Sequence, residues 1–230
     1  MSAFAGSHVI VTGGSRGIGY ATVQAFLEAG ARVAFCAVEP ERLHAAQTAL
    51  EPSGEVLAVA ADVRDPAQVE RFVRMARDRF GPVDTLVNNA GRVAVGPFAR
   101  QDPATLDEVV DVNLKGTLHA TRAVLPGMLE RGLGAVVNIA SGAGLTGFSG
   151  AVAYCAAKFG VVGFTESLDR EVRGSGVRVY GLCPGRVATD MQVQYSGRRT
   201  GLDPDRVAHR ILQLADPACT ARTGTCIPLS

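Results

Sequence analysis

No charge of one sign predominates in this chain of 230 residues: 23 basic side chains stand against 22 acidic ones, a net charge of +1. A nearly neutral chain has no overall field to gather nucleic acid or an anionic membrane surface. No apolar run approaches the ~20 residues that span a bilayer. The opening residues lack the basic-then-apolar order of a secretory signal. The five cysteines, Cys36, Cys155, Cys183, Cys219 and Cys226, are odd in number and include no C-x-x-C pair. A disulfide framework or a zinc site is therefore not expected; buried free thiols and a reducing, cytoplasmic setting are. Lysine is almost missing: Lys115 and Lys158 are the only two among the 23 basic residues.

What remains is a globular composition, 47% hydrophobic and 20% charged, in a chain long enough to bury a core without staples. Arg71, Arg74, Arg77 and Arg79 recur at the spacing of one solvated helix face. Short apolar runs alternate with amphipathic stretches. Strands are expected at residues 8–11, 32–36, 55–60, 84–87, 134–140 and 177–183, with a short seventh at 225–229. Helices are expected at 18–29, closed by Gly30, and at 40–50, opened by Pro40. The pairs Asp65-Pro66, Asp102-Pro103 and Asp203-Pro204 each announce a further helix. Another is expected at residues 154–173. With no linker or repeat, residues 1–230 are read as one α/β domain. Its fold is a doubly wound, Rossmann-type parallel sheet of about seven strands, covered on both faces.

Between the first strand and first helix lies Thr12-Gly13-Gly14-Ser15-Arg16-Gly17-Ile18-Gly19. Glycines allow a tight turn and close approach of a ligand, and the helix start offers free N–H groups to a pyrophosphate. The dinucleotide fingerprint G-x-G-x-x-G is not met, and a purely structural turn is the rival reading. At the end of the second strand an acid or a base ordinarily selects the cofactor. Here Ala37 and Val38 are neither, and Glu39 faces the ribose or caps the next helix. Arg16 offers a partner for a 2′-phosphate.

Tyr154 and Lys158 stand four residues apart, on one face of a helix. An ammonium beside a phenol stabilises phenolate, bringing its pKa down from ~10 and making it a usable acid and base. The pattern alone is common, and a surface helix pair is the bland alternative. Lysine in a chain that otherwise uses arginine invites a chemical reason. Ser141 adds a hydroxyl at the C-terminal end of the fifth strand, the sheet edge where α/β proteins bind ligands.

Together these segments resemble the short-chain dehydrogenase/reductase family in its single-domain form. Gly13, Gly17 and Gly19, with Ser15, Arg16 and Ile18 between them, match its cofactor turn. Asp62-Val63 matches its adenine-contacting pair, and Asn88-Asn89-Ala90-Gly91 the motif after strand four. Asn113, Ser141, Tyr154 and Lys158 match its four catalytic positions. Pro184-Gly185-Arg186-Val187-Ala188-Thr189 matches the segment that holds the nicotinamide carboxamide.

The resemblance implies hydride transfer between a nicotinamide dinucleotide and a small carbonyl or alcohol. Tyr154 would exchange the proton, Ser141 would bond the substrate oxygen and Lys158 the nicotinamide ribose. Asn113 would hold a water that links Lys158 to solvent. Asn89, Ala90 and Gly91 would border the cofactor, while Pro184, Gly185, Val187 and Thr189 would seat the carboxamide. NADP(H) is favoured by Arg16 and by the missing acid at Ala37, with NAD(H) as the alternative. A homo-oligomer is expected through the helices around Asn113 and Tyr154, although the short C-terminal tail counts against some tetramer contacts. Cys155 is read as small-residue packing, and residues 191–202 as a short polar lid with Arg198 and Arg199 solvated. Two rival functions are a catalytically silent dinucleotide-binding regulator and an epimerase or dehydratase on the same scaffold.

Overall fold

The computed structural model describes residues 2–230. Strands and helices alternate: β1 (His8–Thr12), α1 (Gly17–Glu28), β2 (Arg32–Ala37), α2 (Pro40–Leu50), β3 (Val56–Ala60), α3 (Pro66–Phe80) and β4 (Thr85–Asn88). There follow α4 (Pro103–Val110), α5 (Gly116–Arg131), β5 (Gly134–Ile139), α6 (Val152–Glu171), β6 (Val177–Pro184), α7 (Asp190–Ser196), α8 (Pro204–Ala215) and β7 (Cys226–Leu229). The seven strands form one sheet in the order β3-β2-β1-β4-β5-β6-β7, parallel throughout. This is the doubly wound arrangement, with its switch point between β1 and β4.

Side-chain alternation along the strands builds a core on each face of the sheet. Val9 and Val11 of β1 join Phe26 of α1, Leu43 of α2 and Ile211 and Leu214 of α8. Ile10, between them, joins Phe72 of α3, Met128 of α5 and Leu168 of α6 on the other face. Helix starts follow the Asp-Pro signals: Asp65 accepts the Ala67 N–H at 2.9 Å, and Asp102 and Asp203 do the same two residues on. Gly30 takes φ +84° just after α1, the left-handed turn that ends a helix at low steric cost. Among the described residues, no helix is long and apolar enough to cross a membrane.

Several boundaries differ from the sequence reading. Glu39 precedes α2 but makes no capping bond; its carboxylate pairs with Arg42 at 3.0 Å. Asp84 stands outside β4 because its carboxylate accepts the His8 N–H and pairs with Arg131. Residues 191–202, expected as a polar lid, include most of α7. The long helical region from 103 to 131 is interrupted by one wide π turn, Asp111–Lys115. Such a turn lets a side chain leave the regular helical register, and Asn113 sits at its centre.

Candidate active site

The switch point brings the loops after β1 and β4 together at the C-terminal edge of the sheet. Thr12 binds them: its hydroxyl accepts the N–H groups of Asn89 and Ala90 at 3.0 and 3.1 Å. The Asn89 amide returns bonds to the carbonyls of Thr12 and Gly13, both at 3.0 Å. Gly13 has φ +70°, and a Cβ there would lie 2.9 Å from the Ala90 Cα. A Cβ at Gly19 would strike the Gly13 carbonyl. Both glycines are therefore required by close backbone packing, leaving the turn open on its outer side.

That side faces a cleft of about 1090 Å³, ample for a dinucleotide with a small substrate. Gly13, Ser15, Arg16, Gly17, Ile18, Asp62, Val63, Asn89, Ala90 and Gly91 line it, as do Ser141, Tyr154, Lys158, Pro184, Gly185, Val187 and Thr189. Gly19 and Asn113 do not. Gly19 supports the turn from behind. Asn113 is fully buried behind Gly91, where a Cβ would come within 3.1 Å of its Oδ1. Its Nδ2 donates to the carbonyls of Arg92 and Val109, while Oδ1 is buried without a protein partner. A buried carbonyl oxygen without a protein donor is compatible with the water expected beside Asn113.

At the catalytic end, Ser141 caps a short turn after β5 and its hydroxyl accepts the Ala143 N–H at 3.1 Å. Lys158 is 4% exposed and donates its ammonium to the Ile139 carbonyl at 2.7 Å. Burial lowers its pKa to about 8, since removal from water penalises the charged form. Tyr154 moves oppositely to expectation: burial raises its pKa, with Ser141 acting in the lowering direction. The Lys158 Nζ lies 5.7 Å from the centre of the Tyr154 ring and is committed to Ile139, so it does not offset the burial.

The end of the cleft expected to take the adenosine is built from exposed and half-buried charged groups. Arg64 grips the Asp62 carboxylate and also meets Glu108, which in turn holds Arg92 at 3.1 Å. The Arg64 guanidinium holds Asp62 below its ordinary pKa. Arg16 reaches across the cleft to Asp190 at 3.5 Å, and Arg199 binds the same carboxylate. Arg199 is thus paired at the lid, where the sequence favoured a solvated side chain over one that meets an anionic substrate. Ala37, Val38 and Glu39 line the cleft nearby. Cys155 is buried against Val93, Ala143 and Ala151, and Cys36 is sealed in the sheet with its thiol pushed up to about 12.

Sequence reasoning missed two sets of residues. One is a buried polar chain beneath the site: Asn88 donates to Thr121 and Asn138, and Asn138 to Thr165. These bonds tie β4 and β5 to α5 and α6. The other is the far wall of the cleft, Val93, Phe148, Ala151, Met191 and Tyr195. Its members come from separate loops and a helix that no capping residue announces.

Such a fold, with this cleft at its switch point, defines an oxidoreductase of the dinucleotide-binding class. Residues 7–199 match the family described as short chain dehydrogenase, and the chain belongs to that family. It is 35% identical over 224 residues to the oxidoreductase UcpA of Escherichia coli strain K12, covering 94% of this chain and 85% of that protein. A 3-oxoacyl-[acyl-carrier-protein] reductase of Synechocystis is 36% identical over 97% of this chain and 95% of its own length. The crystal structure of a variant actinorhodin polyketide ketoreductase with NADPH superposes with a TM-score of 0.92. That match has 33% identity and covers 97% of this chain and 95% of the other.

Proposed function

We propose that this enzyme reduces a small carbonyl compound, or oxidises the corresponding alcohol, with NADP(H) in the cleft and Tyr154 as proton donor and acceptor. The observation that carries the reading is that Ser141, Tyr154 and Lys158 line the same cleft as the glycine turn. The same domain, residues 1–230, would carry both cofactor and substrate. A nicotinamide dinucleotide supplies or receives the hydride when bound. The glycine turn, with Ser15 and Ile18, would take the pyrophosphate, Asp62 and Val63 the adenine, and the 184–189 segment the carboxamide.

Ser141 would hold the substrate oxygen against the Tyr154 hydroxyl. Burial keeps that phenol protonated at neutral pH, which suits a proton donor in reduction. Lys158 would turn to the nicotinamide ribose and stabilise the phenolate left behind. Asn113 would hold a water on the route that reprotonates Lys158. NADP(H) is preferred to NAD(H) because Arg16 can reach a 2′-phosphate and Ala37 leaves no carboxylate to bond a free 2′-hydroxyl. The NADPH in the ketoreductase relative agrees with this choice, and the reductase name of the Synechocystis relative agrees with a carbonyl substrate.

We also assign a homo-oligomer, joined through α5 and α6, where Leu118, Val152 and Phe159 stand exposed; light scattering checks it. Free thiols suit a reducing cytoplasm. The direct test is Tyr154→Phe, which deletes one hydroxyl. NADPH titration should be nearly unchanged while turnover of a ketone falls by on the order of 10²–10⁴. Retention of near wild-type turnover would remove Tyr154 from the role.

A further inference from the structure

Beyond Tyr154 the cleft is walled by apolar side chains of three segments that are bonded to one another. The Gly96 N–H donates to the Gly150 carbonyl at 2.9 Å, joining the loop after β4 to the loop before α6. The Gln194 amide donates to the Val93 carbonyl at 3.2 Å, fastening α7 to the first loop. Phe148 and Tyr195 meet inside this frame, with ring centres 6.2 Å apart and planes inclined by 56°. Phe148 is 42% exposed although it borders the same cleft as Tyr154. A phenyl ring left that open costs burial free energy that a ligand surface recovers on binding.

Three arginines at the cleft mouth are already paired. Arg92 is held by Glu108, and Arg16 and Arg199 by Asp190. Arg186 has no ion pair among the described residues. Its carbonyl is bonded to the Leu202 N–H, and the residue borders the same cleft. The wall formed by Val93, Phe148, Ala151, Met191 and Tyr195 carries no charged side chain, so a carboxylate or phosphate seated on it would be desolvated without compensation.

We propose that the substrate is an uncharged ketone, or its alcohol, with a flat, ring-containing apolar body that seats on the Phe148–Tyr195 wall. Phe148 and Tyr195 are then specificity-determining residues for the reaction assigned above, on which this inference rests. A rigid ring presents its face to the two aromatics with little conformational entropy to lose, whereas a straight chain must be ordered to do so. The Tyr195 hydroxyl is not required; the ring is.

The test uses NADPH-loaded enzyme with β-tetralone, a straight-chain methyl ketone of the same carbon number, and acetoacetate. Calorimetric binding and turnover are measured separately for each. β-Tetralone should have the highest kcat/KM, by roughly tenfold over the straight chain, and acetoacetate the lowest. Phe148→Ala and Tyr195→Ala should each bring the ring-to-chain ratio toward unity through KM, with the NADPH titration unchanged; Tyr195→Phe should keep the ratio. Preference for the straight chain or for acetoacetate, or a ratio indifferent to Phe148→Ala, would overturn the proposal. Absence of β-tetralone binding would also overturn it. Binding of β-tetralone that is lost in Phe148→Ala, but without turnover, would instead uphold the wall and bring down the catalytic assignment.

Discussion

The two ends of the cleft are made in opposite ways. At the catalytic end Lys158 is 4% exposed, fixed by Ile139, and backed by the Asn88–Asn138–Thr165 chain. At the adenosine end the Arg16 side chain is 55% exposed and its partner Asp190 is 51% exposed. Buried, hydrogen-bonded polar groups resist rearrangement, whereas exposed ion pairs are weak and exchange partners readily. On the proposed function, the chemistry falls to the buried end, and cofactor selection to side chains that can re-pair. Substitutions at the first should act on rate by orders of magnitude, and at the second on affinity by small factors.

After Tyr154→Phe, the largest effect is expected from Lys158→Arg. The charge is kept, but a planar fork replaces a compact ammonium in a buried slot and cannot release a proton. Turnover should fall on the order of 10² or more, with weaker cofactor binding in the same titration. A mild loss would show that the slot is less confining than its burial indicates.

A smaller, graded effect is expected from pH. Lys158 has its pKa lowered to about 8 from 10.5, so its ammonium is present below that value and lost as pH rises through it. The Tyr154 pKa is raised, so the phenol stays protonated over the same interval. The kcat/KM for reduction should therefore fall as pH rises through about 8. A flat profile through that region would mean that the ammonium takes no part.

At the exposed end, Arg16→Ala should weaken NADPH binding by about two- to fivefold, as befits an exposed charge contact, and leave NADH almost unaffected. Equal loss for both cofactors would move the Arg16 contact away from the 2′-phosphate. Asp190→Asn releases Arg16 from its partner and should shift the same selectivity slightly the other way.

Legibility in the sequence follows the same division. Signals that act locally were readable: Pro40 and an apolar period placed α2 at 40–50, and each Asp-Pro pair opened a helix where its carboxylate now caps it. The glycine turn and Tyr154–Lys158 were readable because their spacing is itself the chemistry. What escaped depends on distant partners. Asn138 is a polar residue within an apolar strand, and only the fold brings its partners Asn88 and Thr165 to it. The Arg16–Asp190 pair joins segments remote in sequence, and it sets Arg16 against the lid in addition to any phosphate. Helix α7 has seven residues and a Thr189 cap that makes no bond, so nothing local marked it. The lowered phenol expected at Tyr154 failed because spacing counts the lysine but not the burial that raises the phenol.

The central claim is that a hydride passes between cofactor and carbonyl carbon in this cleft. It is tested most directly with NADPH deuterated on the transferable face of the nicotinamide carbon and a ketone as acceptor. Mass spectrometry should find one deuterium on the carbinol carbon of the alcohol, formed in step with loss of nicotinamide absorbance and abolished in Tyr154→Phe. Cofactor that binds and keeps its label, with no alcohol formed from any ketone of the series, would contradict the account and favour a dinucleotide-binding regulator.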